Sequence, residues 1–232
     1  MRNLLRVIRR RVGPVVGACA LLAGGVGGCL VAGAGAAQAA ACPGTPVAAG
    51  TTCTDTGTLT FTGGALNLLS PTALGWTAVD TGIDQQLVDT TTAQQSYTVD
   101  DATGSGLGWN VTVSATTFTS ITPAATLVNA GTFSTNGSVA AQTATTAPTA
   151  TCTSGATCTL PTNTTTYPVA ITTAASAPTA VKIYDTSAAS GLGSIVIGYP
   201  AAAAVGWWVA VPANAVPATY TSTVTLEVIS AP

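Results

Sequence analysis

Five of the six basic side chains, Arg2, Arg6, Arg9, Arg10 and Arg11, are crowded into the first eleven positions, and only Lys182 lies beyond them. A small-residue, apolar stretch follows, from Val12 to about Ala37, and closes at Ala37-Gln38-Ala39. A cationic end, an apolar middle and a small-x-small site make a cleavable export signal over residues 1–39. An uncleaved anchor is the alternative, disfavoured by the glycines in the stretch and the site that ends it. Arg10-Arg11 leaves twin-arginine export open. Val26-Gly27-Gly28-Cys29 resembles a lipidation site, but the residues after it stay apolar where a polar tether would be needed. What remains to fold, residues 40–232, carries one lysine against eight acids, a net charge of −7.

A chain so poor in charge lacks the repulsion that keeps disordered segments solvated, and about 190 residues suffice for one domain with its own core. The residues that dominate it are Thr, Ala and Val. Threonine is β-branched and carries a hydroxyl, which suits the wet face of a half-buried strand. Period-2 alternation recurs at Thr58–Thr62, Gln95–Val99, Trp109–Ser114, Ala180–Tyr184 and Tyr220–Val228. In the last, Tyr220, Val224, Leu226 and Val228 share one face. Turn formers separate the runs at Gly63-Gly64, Asp101 to Gly108, Asn136-Gly137, Ser190 to Gly193 and Pro212 to Asn214. The pattern predicts an all-β fold, a single antiparallel sandwich-like domain. Thr143 to Thr166 reads as a long excursion from it, and Ala201–Ala204 is too short for a helix.

The same composition excludes partners and chemistries. One lysine cannot neutralise a row of phosphates, so nucleic acid is not a partner, and no second apolar stretch of spanning length follows the signal. The chain has no histidine, which removes Ser-His-Asp and Cys-His catalysis and histidine-ligated metals. Asp100-Asp101 precedes a glycine-rich turn and reads as a strand end closed by an Asx turn in preference to a catalytic pair. Asp80, Asp84, Asp100 and Asp101 lack the regular spacing of a calcium loop. We expect no enzyme, no cofactor and no metal. Asn110, Asn136 and Asn163 head glycosylation triplets that matter only in a host with that pathway. Cys19 and Cys29 leave with the signal. Of the four cysteines that remain, Cys42 and Cys53 bracket one turn-rich loop, and Cys152 and Cys158 another. Three pairings are possible, and local pairing is the simplest in an oxidising compartment.

The run from Asp100 to Ser114, with Gly108-Trp109-Asn110-Val111 at its centre, resembles the first motif region of WxL-domain proteins, exported surface proteins of Gram-positive bacteria. Val211 to Thr225 is similar to the approach to the family's second motif, Trp-x-Leu, whose place is taken here by Leu226-Glu227-Val228. Trp109 and Val111 therefore carry the first motif, and the second tryptophan is replaced. The resemblance implies a secreted protein held non-covalently on the cell wall, with peptidoglycan or another wall glycan as partner. The rival reading is a structural or adhesive subunit whose partners are other envelope proteins. Trp109, Trp207 and Trp208 are the rings expected to meet glycan. For Trp109 the strand alternation favours the core, beside Val111 and Val113, over a glycan-facing rim, and Trp207-Trp208 read at least as well as one ring in the core and one at a rim.

Overall fold

The computed structural model describes residues 40–41, 49–50, 53–54, 57–127, 132–176 and 178–230. The export signal and Cys42 lie outside the described residues. The chain divides into two compact units, residues 1–59 and 60–232. In the smaller, β1 (Ala40–Ala41) and β2 (Cys53–Thr54) pair in parallel.

Among its described residues the larger unit is all-β, with one 3-10 turn at Thr92–Gln94. Three sheets and a hairpin make it up. The first sheet has the order β10 (Ala150–Cys152), β14 (Gly193–Gly198), β5 (Ser96–Asp101), β3 (Leu66–Leu69). The second has the order β11 (Val169–Ile171), β9 (Phe133–Asn136), β15 (Gly206–Val211), β4 (Gln85–Val88). Both are antiparallel throughout. The third is built on β6 (Trp109–Thr116). Along one edge of β6 runs β16 (Val224–Ser230), antiparallel. Along the other run β13 (Val181–Thr186), antiparallel, and the short parallel β12 (Thr173–Ala174). The hairpin joins β7 (Phe118–Ile121) to β8 (Ala124–Leu127).

One apolar cluster is shared by the three sheets. It contains Tyr97 and Val99 of β5, Trp109, Val111, Val113 and Ala115 of β6, Ile195 and Ile197 of β14, and Phe133, Trp207 and Val209 of the second sheet. Alternation explains the choice: in β6 every second side chain, from Trp109 to Ala115, is fully buried. In β16 the expected face of Val224, Leu226 and Val228 turns to this core while Thr225 and Glu227 stay exposed. Its strand starts at Val224, not at Tyr220, and Thr221 contributes an isolated bridge to Thr119.

Two expectations are corrected. Thr58–Thr62 is not a strand: it is irregular, and Leu59 and Phe61 are 88% and 87% exposed. Alternation creates an apolar face, but a strand also needs a neighbour to take its backbone hydrogen bonds. The excursion from Thr143 to Thr166 is not wholly irregular either, since Ala150–Cys152 supplies the edge strand β10. That strand runs into the Cys152–Cys158 disulfide, whose Cα atoms are 5.5 Å apart.

Candidate functional site

The two motif segments are neighbours. Across the β6–β16 ladder Val111 stands opposite Val228, Val113 opposite Leu226, and Trp109 opposite Ser230. Trp109 sits at the mouth of this ladder and is completely buried. Its indole N–H donates to the Gly191 carbonyl at 2.8 Å, and its ring stacks on Tyr184 with centroids 6.3 Å apart. The flanking glycines make room for it. Gly108 has φ +85°, and a Cβ there would lie 2.5 Å from the Thr186 carbonyl oxygen. Gly191 has φ +69°, and its Cβ would lie 2.9 Å from the Trp109 indole nitrogen. The Gly-Trp pair is therefore one steric unit: the backbone turns left-handed against β13 so that the ring can enter the core.

Trp207 and Trp208 are also buried, on opposite faces of β15. Trp207 stacks on Phe133 at 5.9 Å, and its N–H donates to the Gln94 carbonyl at 2.9 Å. Trp208, 5% exposed, donates to the Ser138 carbonyl at 2.9 Å and to Asn136 Oδ1 at 3.1 Å. Buried Asn136 holds the loop over it, its Nδ2 donating to the carbonyls of Ala141 at 2.9 Å and Gln142 at 2.7 Å. The expected split between core and rim is thus replaced by two buried rings. None of Trp109, Val111, Trp207 and Trp208 offers a face to a sugar in this structure. Asn136 is in use in the same way, which closes that glycosylation triplet in the folded chain.

The charged residues with described contacts are used within the fold. Asp101 ends β5 and accepts from the N–H and hydroxyl of Thr103 at 3.0 and 2.7 Å, the expected Asx turn. Lys182 lies in β13 and donates to Asp185 Oδ2 at 2.7 Å. Residues three apart on a regular strand face opposite ways, but a register shift between Lys182 and Tyr184 restores a common side. Burial pushes the Asp185 carboxyl up. The Lys182 ammonium, with the N–H and hydroxyl of Thr164, outweighs that and holds it below its ordinary value. Among the described residues no cluster of three metal-ligating side chains occurs.

The tryptophan left near the surface is Trp76, which no sequence pattern singled out. Two open clefts, of about 350 and 500 Å³, meet at Trp76, Phe118 and Tyr220. Trp76 is half-buried and held from three sides. Its indole N–H donates to the Trp207 carbonyl at 2.9 Å. Phe118 and Phe133 meet it edge-on, each with centroids 5.8 Å away. Buried Asp89 accepts from the N–H of the adjoining Gly75 at 2.8 Å. The far wall of the smaller cleft is the segment 212–220. Asp84 anchors it through the Ala213 N–H at 2.8 Å, and the Tyr220 hydroxyl ties it to the Val216 carbonyl at 2.8 Å. Leu226, at the position where the second motif would have its tryptophan, lines the larger cleft.

No curated protein and no solved structure matches the chain. The family model described as "WxL domain surface cell wall-binding" does, over residues 67–232, nearly the whole of the larger unit with both motif strands. The chain belongs to the WxL-domain family of cell-surface, wall-binding proteins.

Proposed function

We propose that this domain holds its protein on the outside of the cell by binding peptidoglycan without a covalent bond. Association with the wall at the cell surface comes with the family. The observation that carries the finer reading is the extent of the match, which spans both motif strands and the core they share. The domain is a binding module in this reading: its few carboxylates and its single lysine are engaged in turns, loop contacts and one ion pair where their contacts are described.

The test is sedimentation of the mature protein with purified, insoluble peptidoglycan. It is expected in the pellet, releasable by denaturant without digestion of the wall. Retention should persist at high salt, because a chain with one lysine has little cationic attraction to screen. A protein that stays in the supernatant would refute peptidoglycan binding and leave envelope proteins as the partners.

A further inference from the structure

We infer that the paired clefts flanking Trp76 are the seat of a neutral sugar chain, such as the glycan strand of the wall; this deepens the peptidoglycan reading and rests on it. The first support is chemical. Sugar rings present C–H faces that pack on aromatic surfaces and hydroxyls that need donors and acceptors. Trp76 and Tyr220 supply rings at the junction of the two clefts. Thr77, Gln85 and Thr219 in the smaller cleft, and Thr72 and Ser222 in the larger, supply neutral polar groups. Among the described residues Asp80 is the only charged one lining either cleft, and its Oδ1 already accepts the Gly82 N–H at 2.8 Å. Such a lining suits an uncharged polyol and gives an anionic polymer nothing to pair with.

The second support is geometric. Each cleft falls within the roughly 300–1,000 Å³ usual for small-molecule sites. The two clefts share Trp76, Phe118 and Tyr220, so they adjoin at an aromatic midpoint, and both are open to solvent. The third is rigidity. The Trp76 ring is fixed by its hydrogen bond to Trp207 and by two edge-on phenylalanines, and the 212–220 wall is tied down at Ala213 and Val216. A ring already held in place loses little freedom on binding, which favours affinity. The tryptophans of the motif and of β15, being buried, have no equivalent surface.

Tryptophan fluorescence during titration with the β-linked tetramer of N-acetylglucosamine, with sedimentation on peptidoglycan stripped of accessory polysaccharide, tests the assignment. The wild-type protein is expected to show a saturable emission change and to pellet. Thr77→Arg, at an exposed position on the cleft wall, should leave the melting temperature unchanged and weaken both readouts at least tenfold. Tyr220→Ala should weaken them similarly. If Thr77→Arg and Tyr220→Ala both fold and pellet like wild type, the clefts are not the seat, while peptidoglycan binding stands. If the tetramer binds and Thr77→Arg abolishes it, but wild type fails to pellet, the clefts stand and the peptidoglycan reading falls. Pelleting on unstripped wall alone, lost in Thr77→Arg, assigns the clefts to an accessory neutral polysaccharide. No response to the tetramer, with unaltered pelleting of the variants, overturns the inference.

Discussion

Trp109→Ala separates a ring that holds the domain together from a ring that touches the wall. The side chain is fully buried. Truncating a buried aromatic residue costs ~3–5 kcal/mol. It also strands the Gly191 carbonyl, which accepts the indole N–H at 2.8 Å, and a buried acceptor without a donor costs a further ~1–3 kcal/mol. Partial relaxation of the site keeps the sum toward the lower end, about 4–6 kcal/mol. For a domain of this size each kcal/mol moves the melting temperature by roughly 2–4 °C, so the midpoint should fall by roughly 10–20 °C. Trp109→Phe keeps most of the packing against Tyr184 and loses the N–H, so it should lose about 1–3 kcal/mol. Circular dichroism melts, with guanidinium midpoints as a second measure, give these values. Wall sedimentation is then measured below the lowered midpoint, where the folded fraction of Trp109→Ala should still pellet. An unchanged midpoint together with lost sedimentation would refute the reasoning, because it would make the buried ring a wall contact.

Gly191→Ala places a Cβ 2.6 Å from Thr186 Cγ2 at a left-handed φ, so it should destabilise by several kcal/mol, on the order of the larger core substitutions, and shift the near-ultraviolet signal of Trp109; a neutral melt would contradict the packing described. Asp185 has its carboxyl held below the ordinary range when folded, so its contribution is present at neutral pH and is lost as pH falls through the folded value; Lys182→Met should lower stability at neutral pH and flatten the acid limb of the urea stability profile, converging with wild type at low pH, and an unchanged profile would count against the ion pair. Burial pushes the phenols of Tyr97 and Tyr167 well above their ordinary value and that of Tyr184 to about 12. Stability should therefore hold up to about pH 10, the ordinary tyrosine value, and fall above it, with most phenolate absorbance appearing as the protein unfolds. Non-reducing peptide mapping should recover Cys152 joined to Cys158 and Cys42 joined to Cys53, and Cys152→Ser should cost about 2 kcal/mol for so short a loop.

Strands with one face in the core were legible in advance. β5, β6 and β13 lie within two residues of where alternation placed them, and β16 begins four residues late with its expected face kept, because burial of one face forces a period of two. Thr58–Thr62 has the same alternation and forms no strand, since period reports a face and not a partner. Trp109 was legible as a core ring because Val111 and Val113 share its side. Trp208 was not: alternation on β15 points it away from Trp207, and what buries it is a loop held by Asn136, a contact across 72 positions. The clefts at Trp76 were illegible for a related reason. Their walls come from the irregular stretches 71–80 and 212–223, from strands of the second sheet, and from Phe118 on the hairpin. No periodic signal links such segments.

The pairing of β6 with β16 also sets an order of events in the making of the protein. Thr116 and Ser222, whose hydroxyls meet where the two strands begin to pair, are 106 positions apart. As the chain is synthesised, β6 emerges long before the strand that covers its edge, and the core of Trp109, Val111 and Val113 stays open until β16 arrives. Pairing between such distant segments is slow, because the loop between them must first be closed. A surface protein has to cross a membrane, and a route that threads its chain requires that chain to be unfolded on the way. Along such a route, late closure of this sheet favours completion of folding on the far side.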